Sequence, residues 1–485
     1  MLDGLKPYPE YKDSGCRWVG KVPAHWEVRR AKYFFREIDE RSTTGQEELL
    51  SVSHKTGVTP RSQKNVTMFM AESLIGYKLC APGDVAINTM WAWMAALGVV
   101  KQPGIVSPSY GVYRPHRTTH FEIRFLDELL RTPGYRAEYY VRSTGITSSR
   151  LRLYPENFLR IPLLCPPPDE QAAIVRFLAH ADRLIRRYIR AKRALVKLLE
   201  EQKQAIIHRA VTRGLDPSVR LKPSGVDWVG DVPEHWEVVR LGNLVEVRLS
   251  NVDKHSRDDE IHVRLCNYTD VYKNDKITDQ ISFLKGTAKP DEIRKFRLQR
   301  GDVLITKDSE TWDDIAVPAL VEWTADDLVC GYHLALLRSR RTLKGPYLLR
   351  ALQSQAVARQ FYISANGVTR YGLSRQAIKD VMVPVPSLEE QEAIARSLDE
   401  ATRDVTNAIS RARNEIELLR EYRTRLVADV VTGKLDVRAA AAALPDVPGD
   451  DAEDIDVSAL DDEVDLEDDE VSDDEDIERE VTHEG

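Results

Sequence analysis

The chain contains one segment twice. Residues 14–30 read SGCRWVGKVPAHWEVRR, and residues 224–240 read SGVDWVGDVPEHWEVVR. Twelve of these 17 positions are identical, and they include two tryptophans, a residue type that occurs only eight times in 485 residues. Self-similarity at a fixed spacing is the sequence signature of a duplicated structural unit. The repeat therefore predicts a chain made from two copies of one module.

Shorter segments repeat in the same order after each copy of this opening motif. They are a Gly-Asp-Val turn (residues 82–87 and 300–305), a Gly-x-Thr loop (145–147 and 367–369), a Glu-Gln pair (170–171 and 390–391) and a Val-Thr-x-x-Leu-Asp end (211–216 and 431–436). Between these segments the two copies differ in sequence. We therefore expect a common frame that holds two different binding surfaces.

Each copy ends in a stretch that predicts a long helix. Proline-rich residues 162–168 precede Asp169, and no proline or glycine follows before Gly214; the second stretch runs from residue 388 to Gly433. Apolar residues recur at steps of three and four, which indicates a coiled-coil seam. The seam residues are Ile185, Ile189, Val196, Leu199 and Ile206 in the first helix and Val405, Ile409, Ile416, Leu419 and Leu426 in the second.

Net charge favours pairing of these two helices. Residues 169–216 contain 11 basic and 6 acidic side chains, whereas residues 387–436 contain 8 basic and 11 acidic ones. Helices with matched apolar stripes and opposite net charge are expected to pair. We predict an antiparallel pair, with pseudo-two-fold symmetry between the two copies. The alternative is that each helix packs only on its own domain.

Composition excludes several classes of protein. The net charge is −8, but the last 40 residues hold 21 acidic side chains and one basic one, so the preceding 445 carry +12. A basic body makes nucleic acid a candidate partner, and the acidic segment predicts a disordered tail. Five scattered cysteines without CxxC spacing argue against a zinc site or a disulfide framework. The longest apolar run is too short to span a membrane, so we expect a cytoplasmic protein.

The repeated motifs resemble the specificity subunits of type I restriction–modification enzymes over residues 8–436. The resemblance rests on the two WVGxVPxHWEVxR openings, the Gly-Asp-Val turns, residues 107–110 (SPSY) and the two Pro-Glu-Gln helix starts. It implies an α+β fold with two mixed α/β target recognition domains separated by two long antiparallel coiled-coil helices. The implied boundaries are 1–168 and 216–386 for the domains, 169–215 and 387–436 for the spacer helices, and 437–485 for the acidic tail.

The resemblance also implies a function. Each domain of that family reads one half of a split, asymmetric sequence in double-stranded DNA, and the helices help to dock two methyltransferase subunits. Two restriction subunits join that core. The specificity subunit itself is not catalytic and binds no cofactor or metal. S-adenosylmethionine, ATP and Mg²⁺ are expected on the partner subunits.

Side chains suited to base and phosphate contacts cluster in several polar segments. Arg and Lys recognise guanine and phosphate, and Asn and Gln recognise adenine. The candidates in the first copy are Lys55, Arg61, Gln63, Lys64, Asn65, Thr147, Ser148, Ser149, Arg150 and Arg152; those in the second are Arg264, Asn267, Tyr268, Lys307, Asn366, Thr369, Arg370, Tyr371, Ser374 and Arg375. We favour the loops at 145–152 and 367–375, because they hold equivalent places in the repeat but carry different polar residues.

Other motifs favour structural roles. The tryptophans and histidines of the opening motif are interpreted as packing residues. Trp91 and Trp93 are interpreted as part of an alternating strand core, with exposed recognition aromatics as the alternative. Residues 107–110 differ by one residue from the [NDS]PP[YF] motif of amino-methyltransferases, but the missing proline argues against catalysis. Two rival functions remain open: a free-standing DNA-binding or scaffold protein without enzyme partners, and an enzyme that modifies bases by itself.

Overall fold

The computed structural model describes residues 5–64, 73–117, 120–146, 150–367 and 370–445. The chain divides into two compact units. Unit 1 comprises Met1–Ile189 with Glu417–Gly485, and unit 2 comprises Arg190–Ile416. The acidic tail from residue 446 onward lies outside the described residues.

Unit 1 is built around a four-stranded antiparallel sheet. Its strands lie in the order Phe35–Glu37, Gly111–Pro115, Val85–Ile87, Leu97–Val99. Four antiparallel pairs surround it: Tyr11–Asp13 with Lys21–Pro23, Glu27–Arg30 with Pro162–Cys165, Leu50–Ser53 with Gly57–Pro60, and Lys78–Cys80 with Gly104–Val106. The shorter helices are Ala31–Tyr33, Arg61–Gln63 and Ala92–Met94 (3-10), and Ile123–Leu130, Pro133–Arg142, Pro155–Phe158 and Arg438–Ala442 (α).

Unit 2 is built around a five-stranded sheet. Its strands lie in the order Val245–Leu249, Leu334–Ser339, Val303–Thr306, Pro318–Val321, Lys276–Ile277, with a parallel pairing only at the last strand. A second sheet has the order Leu284–Ala288, Ile261–Cys266, Leu328–Cys330. The remaining pairs are Leu221–Pro223 with Asp231–Pro233, Glu237–Arg240 with Met382–Val385, and Asp308–Ser309 with Tyr371–Gly372. The shorter helices are Leu241–Leu244, Tyr268–Lys273, Pro290–Phe296, Gly345–Gln353, Gln355–Ser364 and Arg375–Asp380.

The Gly-Asp-Val turn has the same structure in both units. Its aspartate is buried and receives two hydrogen bonds from an arginine on the neighbouring strand. In unit 1 the Nε and Nη2 atoms of Arg114 lie 3.0 Å from the carboxylate oxygens of Asp84. In unit 2 the same atoms of Arg338 lie 2.8 and 2.7 Å from Asp302. A bidentate arginine compensates the burial of the carboxylate, so the motif fixes the start of a central strand.

Two long helices carry the Glu-Gln pairs. The first long helix is Pro168–Arg213 and the second is Leu388–Val431. Both end before a glycine of positive φ, Gly214 at 75° and Gly433 at 77°, a conformation that terminates helices readily. The predicted helix starts and stops are therefore confirmed to within a residue or two.

The Glu-Gln pair joins the first long helix to the rest of unit 1. The carboxylate of Glu170 accepts a hydrogen bond from the Trp26 indole (2.8 Å) and lies 2.7 Å from Nε2 of His25. The Gln171 amide nitrogen donates to the carbonyls of His120 and Pro166, at 2.9 and 2.8 Å. Trp26 is completely buried. The opening motif therefore serves as packing for the helix start, as the sequence predicts.

Unit 2 repeats this arrangement with Glu390 and Gln391. Glu390 lies 2.8 Å from Nε2 of His235 and 3.3 Å from the indole nitrogen of the buried Trp236. The Gln391 amide nitrogen donates to the carbonyls of Thr342 and Pro386, both at 3.0 Å. Equivalent residues thus make equivalent bonds in the two units.

The other pair of motif tryptophans differs between the units. Trp18 packs edge-on against Tyr135, with ring centroids 4.6 Å apart, and a Cβ on Gly134 would lie only 2.8 Å from its ring. Unit 2 has Ala356 at the corresponding place in its helix, and Trp228 is 45% exposed there. Glycine thus leaves room for a partly buried indole in unit 1, whereas Trp228 does not have the packing role predicted for it.

Each unit contains the start of one long helix beside the end of the other. In unit 1, Arg423 of the second long helix bonds Asp182 of the first at 2.8 and 3.0 Å. In unit 2, Lys192 lies 2.5 Å from Glu415, and Arg413 donates to Glu200 at 2.8 Å. Seam residues Ile185, Ile409, Ile416 and Leu426 are buried, and Ile189, Val196, Leu199, Ile206, Val405 and Leu419 are partly buried.

Residues 6–8 and residues 436–438 meet at the opening motif of unit 1. The backbone N–H of Asp436 donates to the Lys6 carbonyl at 2.8 Å. Tyr8 donates to Glu170, and the Arg438 guanidinium lies 5.1 Å from the Tyr8 ring. Burial and the adjacent Glu170 carboxylate raise the pKa of the Tyr8 hydroxyl, so it stays protonated. These contacts cover Glu170, whose side chain is 4% exposed.

Candidate nucleic-acid interface

In each unit a loop follows the central strand that the Gly-Asp-Val turn begins. The tryptophan loop of unit 1 comprises residues 88–96, and that of unit 2 comprises residues 307–317. Backbone bonds close both loops: Asn88 N–H to the Ala96 carbonyl at 3.0 Å, and Thr306 N–H to the Val317 carbonyl at 3.1 Å. The two loops therefore leave the same place in the frame although their lengths differ.

A polar hairpin is fastened beside each loop. Thr144 pairs with Arg152 in unit 1, and Asn366 pairs with Gly372 in unit 2. Leu153 N–H donates to the Thr89 carbonyl at 3.0 Å, and Leu373 N–H donates to the Lys307 carbonyl at 2.8 Å. These hairpins are the loops that sequence reasoning favoured. The structure thus brings each of them together with a second loop that the sequence did not point to.

Close backbone contacts require the glycine at the start of each hairpin. A Cβ on Gly145 would lie 2.5 Å from the Arg150 carbonyl oxygen, and one on Gly367 would lie 1.9 Å from that of Arg370. Only glycine permits so close a backbone approach. The glycines conserve the hairpin geometry while the polar residues beyond them vary between the copies.

Four polar and aromatic side chains cluster at the edge of unit 2. Asp308 lies 2.5 Å from Lys307 Nζ and 2.7 Å from His333 Nδ1, and Lys307 lies 4.8 Å from the ring centre of Tyr332. Burial raises the pKa of Asp308, but the bonds from Lys307 and His333 outweigh it, and the net pKa is below the ordinary value. His333 has a φ of 69°, a strained conformation typical of functional loops.

The corresponding edge of unit 1 is neutral. Asn88 Nδ2 donates to the Tyr110 hydroxyl at 3.0 Å, and Thr89 donates to the Ser109 carbonyl at 3.0 Å. Burial raises the pKa of Tyr110, and the charge of Arg61 and the hydrogen bond from Asn88 oppose that rise. Residues 107–110 therefore hold the loop in place through hydrogen bonds.

The tryptophans of the loops were misinterpreted from the sequence. Trp91 is 49% exposed and precedes the 3-10 helix Ala92–Met94, which contains Trp93. Neither residue lies in a strand, so the strand-core interpretation is wrong. Trp312 of unit 2 is 54% exposed and was missed, as were Tyr332 and His333. Closely spaced tryptophans after a Gly-Asp-Val strand are the sequence signal by which the unit 1 edge could have been found.

Several predicted DNA-binding residues lie at these edges. Arg150 and Arg152 are exposed on the unit 1 hairpin, and Asn366 and Arg370 are exposed on the unit 2 hairpin. Tyr371 pairs with Ser309, and Ser374 caps the helix Arg375–Asp380, accepting from Ala377 N–H at 3.1 Å. Residues 147–149 and Thr369 lie outside the described residues.

Other candidates have structural partners elsewhere. Arg264 forms two bonds with Asp327, at 2.6 and 2.9 Å, and lies 5.2 Å from the Trp323 ring. Asn267 caps the helix Tyr268–Lys273, in which Tyr268 stacks on Tyr272 with centroids 5.5 Å apart. The bonds to Asp327 occupy Arg264. The helix Tyr268–Lys273 lies beside the unit 2 edge, because Tyr272 donates to Asp314 of the tryptophan loop at 2.8 Å.

The remaining candidates surround one hairpin of unit 1. Lys55 lies in the turn between Leu50–Ser53 and Gly57–Pro60, and its carbonyl accepts from Arg131. Lys64 lies 2.5 Å from Thr56 Oγ1. Gln63 is exposed at the end of the 3-10 helix that begins at Arg61. Asn65 lies outside the described residues.

Neither a metal-binding cluster nor a membrane-spanning helix occurs in the described residues. Within the described ranges, no group of three or more His, Cys, Asp or Glu side chains is placed to bind a metal ion. No helix in that part of the chain is long and apolar enough to cross a bilayer.

Comparison with known proteins identifies the class of domain. Residues 233–418 match the family model described as a type I restriction modification DNA specificity domain. A solved structure on the complex assembly and conformational transition of the type I R-M system has the same fold, with a TM-score of 0.58, 18% identity, and coverage of 85% of this chain and 99% of that chain. The mixed α/β fold with long helices is thereby confirmed.

Curated relatives extend the match in sequence. The chain is 26% identical to the putative type I restriction enzyme MjaX specificity subunit of Methanocaldococcus jannaschii, over 42% of this chain and 47% of the relative. It is 24% identical to the MjaVIII specificity subunit of the same organism, over 61% of this chain and 66% of the relative. The resemblance to type I restriction enzyme specificity subunits that the repeated motifs predict is thus confirmed.

These alignments span about half of the first relative and just under two thirds of the second. The activity, substrates and partners of the complete relatives are therefore proposals for this chain.

Proposed function

We propose that the chain is a DNA sequence-recognition subunit of a type I restriction–modification complex. Each unit reads one half of a bipartite, asymmetric duplex with its tryptophan loop and polar hairpin. The observation that carries this proposal is the pair of edges: equivalent backbone bonds hold them, but Lys307, Asp308 and His333 in unit 2 replace the neutral Asn88 and Thr89 of unit 1. Two different surfaces on one frame are suited to two different half-sites.

Individual residues take different roles in this proposal. Arg150, Arg152, Asn366, Arg370 and Arg375 are exposed and suited to base or phosphate contacts. Arg264 and Asn267 support the fold beside the edge, because Asp327 and the helix cap already engage them. The chain is not catalytic in this proposal. S-adenosylmethionine, ATP and Mg²⁺ act on the methyltransferase and restriction subunits.

The domain boundaries and the spacer are also proposals. We propose that residues 169–215 and 387–436 form an antiparallel coiled coil between recognition domains 1–168 and 216–386, with a pseudo-two-fold relation. Support comes from the ion pair of Asp182 with Arg423 in unit 1, and from that of Lys192 with Glu415 in unit 2. Lys192 interrupts the apolar seam, and its pairing with a carboxylate accounts for a charge at that position.

Apolar side chains on the outer faces of the helices suit a protein partner. Leu195 and Leu198 of the first long helix are 42% and 62% exposed, and both belong to unit 2. Large exposed apolar residues at helical spacing indicate a docking face. We propose that methyltransferase subunits dock here. Leu198→Glu should abolish co-purification with the methyltransferase, whereas Glu201→Ala on the same helix should leave it unchanged.

The test of function is to map methylated adenines genome-wide in cells with and without this chain. The proposal expects loss of one bipartite motif on deletion, with the two halves separated by a fixed gap. Exchange of the residue 144–152 hairpin should cause loss of methylation in one half-site. Exchange of the 366–375 hairpin should cause loss of methylation in the other half-site. An unchanged methylation map would refute the proposal.

The main alternative is a free-standing DNA-binding or scaffold protein without enzyme partners. Co-purification separates the two functions, because a specificity subunit should be isolated with a methyltransferase. A chain that binds a split DNA sequence but never associates with a methyltransferase would support the alternative.

A further inference from the structure

Each tryptophan loop packs one tryptophan against a tyrosine of a neighbouring helix. Trp93 meets Tyr140 with ring centroids 6.4 Å apart and an interplanar angle of 67°. Trp312 meets Tyr362 at 6.3 Å and 82°. The two tyrosines are the eighth residues of the helices Pro133–Arg142 and Gln355–Ser364. Both units thus place the same edge-to-face pair at the same point of the frame.

The sequences of the two loops do not explain this agreement. Unit 1 has NTMWAWMAA, without a charged residue, whereas unit 2 has KDSETWDDIAV, with four acidic residues and one basic one. Each loop nevertheless closes through an alanine in the left-handed region, Ala95 at φ 66° and Ala316 at φ 64°. Alanine is strained there, so the surrounding structure must hold the conformation. The ring pair and the strained closure are the shared features.

Core packing accounts for only one ring of each pair, because Trp93 and Tyr362 are partly buried but their partners are not. Tyr140 and Trp312 are each 54% exposed, and Trp91 in the same unit 1 loop is 49% exposed. A rigid edge-to-face pair leaves one flat aromatic surface open to solvent. Such surfaces are suited to stacking with nucleobases, because every base has a π-face.

The neighbours of the rings fit that ligand. The loops are bonded to the polar hairpins through Thr89 and Lys307, and exposed Arg150 and Arg370 lie on those hairpins. Cations beside exposed aromatic rings are the combination that binds an unstacked base and its phosphate. Asp314 of the acidic loop is already engaged by the Tyr272 hydroxyl.

We propose that the Trp93–Tyr140 and Trp312–Tyr362 pairs each contact the face of a base at an opened or kinked step of the bound duplex. The ligand class is a duplex base step that is easily unstacked. The contact responds to DNA deformability and adds to the base readout by the hairpins. This inference rests on the proposed function and assigns a second mode of recognition to the same edge.

The test uses the full-length chain in complex with its methyltransferase and the duplex that the wild-type complex prefers. Base unstacking is detected with 2-aminopurine placed at successive positions, because its fluorescence changes when its stacking partner changes. We expect one responsive position in each half-site. Trp93→Ala should remove the response in one half-site and Trp312→Ala in the other, each with a roughly ten-fold loss of affinity.

Three further variants separate stacking from a fold defect. Trp312→Phe keeps a ring and should retain most of the response, and Tyr140→Ala removes a half-exposed ring with little effect on folding. Trp228→Ala removes an indole of comparable exposure in the opening motif of unit 2 and should bind DNA as the wild type does. A mismatch that opens the responsive step beforehand should restore much of the affinity lost in Trp312→Ala.

Different results would overturn this inference alone or the proposed function with it. Affinity of the alanine variants within two-fold of wild type, or no responsive 2-aminopurine position, would overturn this inference alone. Loss of methyltransferase binding with unchanged DNA affinity would assign the rings to a protein partner and also overturn it. A wild-type complex without any preferred duplex would overturn the proposed function together with the inference.

Discussion

Unit 1 and unit 2 hold the same glutamate beneath the same His-Trp pair, but only unit 1 covers it. Tyr8 donates to Glu170, whose side chain is 4% exposed, whereas the side chain of Glu390 is 38% exposed. The cover in unit 1 comes from Tyr8 and Arg438, and unit 2 has Ser218 in the place that corresponds to Tyr8. The two copies thus differ at this junction: the continuous chain through residue 216 joins the helix end to the opening motif in unit 2, and the contact between Lys6 and Asp436 does so in unit 1.

The largest effect is expected where the units agree. Asp84→Asn and Asp302→Asn each remove a buried carboxylate from a partly buried arginine, and each should lower the free energy of unfolding by about 3–5 kcal/mol. Urea denaturation of the full-length chain measures this loss. Similar losses in the two variants would support a shared frame, and a loss in only one would show that the Gly-Asp-Val turns are not equivalent.

The covered and open glutamates should differ in their contribution to stability. Glu170→Ala leaves the Tyr8 hydroxyl and the Trp26 indole without a buried acceptor, so we expect a loss of about 3 kcal/mol. Glu390→Ala should cost about 1 kcal/mol, because its site is partly hydrated. Equal losses measured by urea denaturation would refute the distinction.

The helix-ending glycines offer a smaller contrast. A Cβ on Gly433 would lie 2.4 Å from Pro23 and 3.1 Å from Trp26, whereas one on Gly214 would lie 3.3 Å from Trp236. Both glycines have positive φ, so alanine is strained at either position. Gly433→Ala should therefore cost about 2 kcal/mol and Gly214→Ala about 1 kcal/mol. A larger shift of the urea midpoint for Gly214→Ala would contradict the contact geometry.

The smallest expected effect concerns acid stability of unit 2. Burial raises the pKa of Glu390, but bonds from His235 and Ser387 outweigh it, so the net pKa lies below the ordinary value. A lowered folded pKa contributes stability above the ordinary carboxyl pKa, and this is lost as pH falls through the folded pKa. Glu390→Gln should reduce the dependence of stability on pH below about 4.5, by well under 1 kcal/mol. Unchanged pH dependence would rule out this role.

Repeats and helix signals made the frame predictable. Prolines and glycines bound both long helices in the sequence, and the helices Pro168–Arg213 and Leu388–Val431 agree with those limits. Local rules suffice there because helix starts and stops depend on neighbouring residues. The partner of Asp84 was not predictable, since Arg114 is 30 residues distant and strand pairing brings it near.

The candidate site was predictable in part. The hairpins with Arg150 and Arg370 were selected from the sequence because they occupy equivalent places in the repeat. The role of Trp312 depends on a loop conformation and on Tyr362, which lies 50 residues later, so no local pattern reveals it. Arg264 was selected by residue type, and its engagement by Asp327 depends on the parallel pairing of two distant strands.

The contact between Lys6 and Asp436 has a genetic consequence. Residue 216 corresponds in the repeat to both Lys6 and Asp436. The contact between Lys6 and Asp436 in unit 1 therefore stands where unit 2 has the continuous chain. The order in which the two halves are encoded is then not essential to the fold. A permuted gene whose reading frame began after codon 216 is therefore expected to encode a chain that folds into the same two units.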